Sequence, residues 1–321
     1  MKPVSSLFKQ FIQVSDFADS TIDCYGRAVT FFIEANGDMP VDEIKPSHIE
    51  KMKKHLLDED KKKAGINQYV RNLSGFFRWL NRPEGEIKTN PMYDVKYYKT
   101  ERKKGRIYHT EELVQILQVC NDRWRVIFLL ALWAGLRRGE VLNLCWADLD
   151  FGNNRIWVRA KEDTEATWFW HSKNIKQRFV PFPDIITLPG ITLHLHTLCF
   201  DLMEENVKTN PKQPYLCPTP KYYRRLIEKK NKGTLSWRKR YCPWGNFSRD
   251  LKVILKRAMV SQKSFHDLRR TFGTALDRNN FTLPKIQSVL GHSSPQTTIA
   301  YIRVDDGVNN ANVCQLAQAG L

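Results

Sequence analysis

From Trp124 to Leu136 the chain reads WRVIFLLALWAGL, with a single charge, Arg125. Such a run has no polar stripe to offer water, so a helix built from it must be enclosed by protein on all sides. It falls short of the ~18 apolar residues of a membrane-spanning helix. The expected element is a buried central helix closed by Gly135. A chain of 321 residues is long enough to build a core around it and to hold about two domains. Apolar residues make up 42% and aromatic residues 12%, which argues against a disordered chain. At this size neither a structural metal nor a disulfide is needed for stability.

Lys and Arg number 51 against 34 Asp and Glu, a net charge of +17. An excess of this size points to an anionic partner. Two runs concentrate it. Residues 99–106 (KTERKKGR) carry five basic side chains and one acid. Residues 221–240 (KYYRRLIEKKNKGTLSWRKR) carry nine basic side chains and one acid, together with Tyr222, Tyr223 and Trp237. Basic residues interleaved with aromatics suit a nucleic-acid phosphate backbone, while a solvated loop explains either run taken alone. Neither run has the apolar face of a membrane-surface helix. The seven cysteines (Cys24, Cys120, Cys145, Cys199, Cys217, Cys242 and Cys314) are odd in number and nowhere spaced CxxC, the pattern of reduced thiols in a cytosolic protein. The opening MKPVSSLFKQFIQV lacks the apolar segment and cleavage site of a signal peptide. The expectation is a cytoplasmic protein with no membrane segment.

Periodicity divides the chain. Residues 1–98 read as an all-α unit: Ser20 with Asp23 suggests a capping box, and Tyr25, Val29, Phe32 and Ile33 follow at helical spacing up to Asn36-Gly37. Pro46-Ser47 opens a helix through His55 and Leu57, and Ile66, Tyr69, Val70, Leu73, Phe76, Phe77 and Leu80 form a further stripe. The basic run 99–106 is the expected linker, and 107–321 the second domain. There, Thr110 opens a helix ahead of the buried run. Three short β-branched and aromatic segments follow, 153–160, 166–172 and 178–182, and a helical pattern resumes near Trp244. The fold class is mainly α, as α+β with a small antiparallel sheet.

Four segments carry candidate chemistry. They are Ala134–Val141 (AGLRRGEV), His171–Arg178 (HSKNIKQR), His266–Arg270 (HDLRR), and Leu290-Gly291-His292 followed nine residues later by Tyr301. Each has a structural reading. Arginines after a buried helix complement its C-terminal dipole. A hairpin lysine is usually solvated. His266 and Arg269, one turn apart, share a helix face. His292 follows a helix-stopping glycine, and a tyrosine on a short helix is usually core.

In this order the four segments resemble the tyrosine recombinase (phage integrase) family, whose boxes run roughly GLRxxE, a hairpin lysine, HxLR, LGH and a tyrosine. The resemblance covers about 107–305, and the helical unit before it resembles the family's SAM-like core-binding domain. It implies a DNA breaking–rejoining fold and a site of Arg137, Lys173, His266, Arg269, His292 and the nucleophile Tyr301, with Glu140 supporting rather than reacting. Arg137 rather than Arg138, and Arg269 rather than Arg270, match the boxes. Lys173 fits ahead of the Arg178…Pro181 strand better than Lys161 or Lys176.

The implied activity is site-specific recombination through a 3′-phosphotyrosine and a Holliday junction. It needs no metal, nucleotide or other cofactor. The implied partners are double-stranded DNA and further copies of the chain, a tetramer on two sites. A type IB topoisomerase-like enzyme and a catalytically silent DNA-binding protein are the rival readings. With no room expected before about Ser5 for an additional arm-binding domain, the expected architecture resembles the simpler two-domain recombinases. The apolar stripe Val308, Val313, Leu316 and Ala317 in the tail suggests a helix that docks on a neighbouring protomer.

Overall fold

The structure, a computed structural model, describes residues 2–101, 105–172 and 177–302. Two compact units divide the chain, Met1–Lys103 and Lys104–Leu321. The first is helical: α1 (Val4–Gln13), α2 (Asp19–Asn36), α3 (Pro46–Asp58) and α4 (Lys63–Leu80). Leu7 and Phe11 of α1 join Phe32, Ile49, Leu56, Val70, Phe76 and Phe77 in one buried cluster. The expected stop at Asn36-Gly37 holds, with Gly37 at φ +81°. The expected capping box does not form. The Ala18 carbonyl already accepts from the Thr21 and Ile22 amides at 2.7 and 3.1 Å, so α2 starts at Asp19 and Ser20 lies inside its first turn. Ala18 at the cap position supplies no side-chain bond.

The second unit opens with α5 (Thr110–Val119) and α6 (Asp122–Trp133). Every residue of α6 from Val126 to Trp133 is buried. Each large apolar side chain so enclosed contributes about 1.5–3 kcal/mol relative to exposure. Arg125, the one charge in the run, turns outward to Asp122 at 2.7 Å. Gly135, at φ +59°, ends the helical run, and a Cβ there would collide with the Phe272 ring. Next come α7 (Arg138–Leu142) and the antiparallel sheet of β1 (Leu149–Asp150), β2 (Arg155–Val158) and β3 (Arg178–Pro181). Ile156 pairs with Val180, and Val158 with Arg178. The hairpin of β4 (Ile185–Leu188) and β5 (Ile191–His194) follows, and then α8 (Leu195–Thr209), α9 (Pro220–Asn231), α10 (Trp237–Tyr241) and α11 (Phe247–Arg257). The unit's described part closes with α12 (Phe265–Arg278), α13 (Leu283–Leu290) and α14 (Pro295–Ile302). The central helix α6 lies against α8 and α12, and α12 against α13 and α14.

Segment 166–172 is not the strand its composition suggests. Apart from the single bridge between Lys161 and Trp170, it is irregular. Its aromatics serve a second small core instead. Trp168, fully buried, stacks on Tyr215 at 4.1 Å and sits beside Tyr223. Its indole N–H donates to Asn143 Oδ1 at 2.9 Å. This removes Tyr223 of the 221–240 run from the solvent face, while Lys221, Arg224, Arg225 and Lys229 of α9 remain exposed. No described helix is long and apolar enough to cross a membrane. The described cysteines are free thiols, buried at Cys120, Cys145, Cys199 and Cys217. The tail stripe at Val308, Val313, Leu316 and Ala317, and Cys314, lie outside the described residues.

Candidate active site

The sequence delivers four chain segments to one place. Gly135 ends the central helical run, so Arg137 emerges at the cap position of α7. Ser264 and Asp267 cap α12 through bonds of 2.8 Å, which presents His266 and Arg269 in its first turns. Gly291, in the left-handed region at φ +60°, ends α13 and turns His292 inward. Pro295 starts α14, which carries Tyr301 near its end.

These side chains meet around a cleft of about 810 Å³ lined by Arg137, His266, His292 and Tyr301. The Tyr301 hydroxyl and His266 Nε2 share a short hydrogen bond, and the two rings meet edge-on at 5.3 Å. The His292 ring packs against Tyr301 at 4.8 Å, and its Nδ1 pairs with Thr298 Oγ1 at 3.0 Å. Arg269 is 1% exposed. Its two terminal nitrogens donate to the Gly135 carbonyl, at 2.5 Å, and to the Leu290 carbonyl. Arg137 donates through Nη2 to the Gly291 carbonyl at 3.0 Å.

Glu140 holds the cations together. Its carboxylate accepts from the Arg137 amide at 2.8 Å and Arg137 Nη1 at 2.9 Å. It also accepts from Arg178 Nη1 and Nη2 at 3.0 and 2.8 Å, and Arg269 Nη1 lies 3.9 Å away. Burial pushes this carboxyl up, but Arg178, Arg269 and Arg137 outweigh it and hold it at about 2. For Arg269, burial and then Arg137 work against the charged form, and Glu140 opposes them. Burial, with Arg269, Arg270 and Arg137, lowers His266 to about 4. Burial, with Arg269, Arg137 and His266, lowers His292 to about 3. Both imidazoles are therefore neutral at pH 7. In that form His266 Nε2 can accept a proton from the Tyr301 hydroxyl.

Of the six sequence-derived residues, five converge: Arg137, His266, Arg269, His292 and Tyr301. Lys173 lies outside the described residues, as does Lys176. Their flanks, Ser172 and Gln177, line a second cleft of about 320 Å³ together with Arg137 and His292. Lys161 is committed elsewhere. It is buried, and its Nζ pairs with Asp148 Oδ2 at 2.8 Å. Sequence reasoning missed Arg178 as a member of the cluster. It clamps Glu140 and donates through Nε to the Val289 carbonyl at 3.1 Å. The signal was present in a basic residue opening a strand just after the hairpin, but nothing in the sequence points that side chain at Glu140.

Comparisons with known proteins agree with this geometry. Residues 106–307 match the phage integrase family, and residues 6–86 match the phage integrase N-terminal SAM-like domain. The chain belongs to the phage integrase family. A tyrosine recombinase of Thermosipho africanus (strain TCF52B) is 26% identical over 317 residues, covering 95% of this chain and 96% of that one. Among solved structures, the Tn1549 transposon integrase in complex with a circular intermediate DNA superposes with a TM-score of 0.71 at 16% identity, covering 99% of this chain and 100% of that one. A lambda integrase tetramer bound to a Holliday junction gives 0.68 at 17%, covering 96% and 79%. At these identities the structural likeness concerns the fold: a helical N-terminal unit and a mostly helical second unit with a small antiparallel sheet.

Proposed function

We propose that this chain is a site-specific DNA recombinase that cuts and rejoins duplex DNA through a 3′-phosphotyrosine. The observation that carries the reading is the hydrogen bond between Tyr301 and a neutral His266, in a cleft that Arg137 and His292 also line. Tyr301 attacks the scissile phosphorus, and its phenolic proton passes to His266 Nε2. As the Tyr301 O–P bond forms, the bond from phosphorus to the 5′-oxygen breaks. Lys173 protonates the departing 5′-oxygen, which leaves as a free hydroxyl. Ser172, the residue before it, lines a cleft with Arg137 and His292, which supports this assignment.

Arg137 and Arg269 bind the non-bridging oxygens, where negative charge gathers in the transition state. A guanidinium suits this because it is permanently charged and multidentate. Preorganised donors of this kind are worth about 3 kcal/mol each. His292 adds a hydrogen bond to the phosphate, and Glu140 fixes the arginines. The phosphotyrosine retains the phosphoester energy, so attack by a 5′-hydroxyl reverses the step without a nucleotide. The two guanidiniums also offset the phosphate charge that a divalent cation would otherwise offset.

Residues 1–98 serve as the core-binding domain, 99–106 as the linker and 107–321 as the catalytic domain. The working assembly is a tetramer on two DNA sites that passes through a Holliday junction. It acts on DNA in the cytoplasm. A plasmid carrying two copies of the DNA flanking this gene, incubated with the protein alone, tests the reading. Exchange between the copies, giving two circles, is expected. Relaxation without exchange makes the protein a topoisomerase-like enzyme, and binding without either makes it a silent DNA-binding protein.

A further inference from the structure

One charged side chain in contact with Tyr301, Arg270, has no part in the roles above. We propose that Arg270 is a positioning residue for Tyr301, holding a positive charge over the phenol ring so that the phenolate forms more readily as the O–H bond breaks. The inference rests on the recombinase reading for what Tyr301 does.

Consecutive residues on a helix point about 100° apart. Arg269 therefore turns into the unit, to the Gly135 and Leu290 carbonyls, while Arg270 turns toward α14. Its guanidinium carbon lies 5.1 Å from the centroid of the Tyr301 ring. Two contacts hold it there. Nη1 donates to Asp267 Oδ1 at 2.8 Å, and Asp267 is itself fixed by the Ser264 amide and hydroxyl. On the other side stands the backbone of Gly105. A Cβ at Gly105 would meet Arg270 Nε, Cζ and Cδ at 2.5–2.7 Å, so only glycine leaves the guanidinium its place.

A cation over an aromatic face is attracted by the ring's electron density, and the attraction grows as the ring takes on negative charge. The charged and titratable groups nearest Tyr301 are His266, Arg269 and Arg270 on α12, His292 between α13 and α14, and Arg137 before α7, while Arg138, Tyr241, Lys252 and Lys263 line the same cleft. Arg178 and Glu140 lie behind them, and Asp267 pairs with Arg270. Among these described cations Arg270 alone is placed over the ring. It is also one of the charges that keep His266 in its neutral, proton-accepting form. Loss of Arg270 withdraws help from the phenolate and lets His266 take up a proton at higher pH. Both effects move the reaction to higher pH.

The test is single-turnover adduct formation by the full chain, at saturating protein, on a duplex carrying the sequence at which the wild type is trapped. Arg270→Gln is expected to slow the step about tenfold at pH 7, equivalent to 1.4 kcal/mol, and to move the pH–rate profile upward. Gly105→Ala, which displaces the guanidinium, moves the profile the same way, and Arg270→Lys restores part of the rate. An unmoved profile overturns the proposal. So does weaker binding with a smaller salt slope at an unchanged saturated rate, which would make Arg270 a phosphate contact. Titration of the isotope-labelled Tyr301 Cζ resonance in the free protein reads the same upward move without DNA. A wild type that forms no adduct thus counts against the recombinase reading, and a phenol titration unaffected by Arg270→Gln counts against this one.

Discussion

Replacing Glu140 by Gln keeps the shape of the side chain and removes the charge that three arginines surround. The structure sets the size of the loss. Holding the carboxyl at about 2 instead of its ordinary 4.5 is worth about 3 kcal/mol, at 1.36 kcal/mol per pH unit. Breaking a buried ion pair from one side costs about 3–5 kcal/mol, because the remaining charges lose their partner. The sign of the pH dependence follows from the depressed value. The contribution is present in full above the unfolded carboxyl's range and is lost as pH falls toward 2. Urea unfolding followed by tryptophan fluorescence measures it, since of the nine tryptophans only Trp79 lies in the first unit. At pH 7 the Glu140→Gln transition in the second unit should fall by about 3 kcal/mol, and the gap to wild type should narrow progressively below about pH 4.5. A variant within about 0.5 kcal/mol of wild type, or a gap that ignores pH, would refute the idea that this carboxylate holds the arginines together.

The two neutral histidines give a dependence of the same sign in a higher pH window. The unfolded chain protonates below the ordinary 6.5, while folded His266 and His292 stay neutral down to about 4 and 3, so the second unit should lose stability as pH falls from 6.5 toward 4. His292→Asn should flatten that slope in the same urea measurement. Trp168→Ala removes a fully buried ring stacked on Tyr215 and should cost about 3–5 kcal/mol, read as a lower unfolding midpoint. Changing the exposed Lys221, Arg224, Arg225 and Lys229 to Gln should reduce the slope of log affinity against log salt by about 1 for every DNA phosphate these side chains neutralise; an unchanged slope would mean that α9 does not touch DNA.

Much of the site was legible because its residues sit at element ends with strong local signals. Gly135 and Gly291 are stops that position Arg137 and His292, and Pro295 is a start that sets the helix of Tyr301. The buried run 124–136 placed the centre of the second unit correctly. What escaped was tertiary. The Ser20–Asp23 box lost to a backbone start at Asp19. Trp168 and Trp170, strand-like in composition, were drawn into a separate aromatic core with Tyr215 and Tyr223, an association between residues far apart in the chain. Helices α8 and α9 and the β4–β5 hairpin went unread, since short apolar stripes mixed with polar residues carry weak periodicity; α1 went unread too, although Val4, Leu7 and Phe11 form a clear stripe. Arg178 was seen only as the start of a strand, because which face of a strand meets Glu140 depends on register against β2.

The phosphotyrosine mechanism is tested most directly by covalent trapping. The purified chain is mixed with duplex DNA from its own genomic neighbourhood, denatured in detergent, and compared with Tyr301→Phe. The mechanism predicts a denaturation-resistant protein–DNA adduct that the phenylalanine variant fails to form, with a free 5′-hydroxyl at the cut. An adduct that survives Tyr301→Phe would contradict it, since another residue would then be the nucleophile.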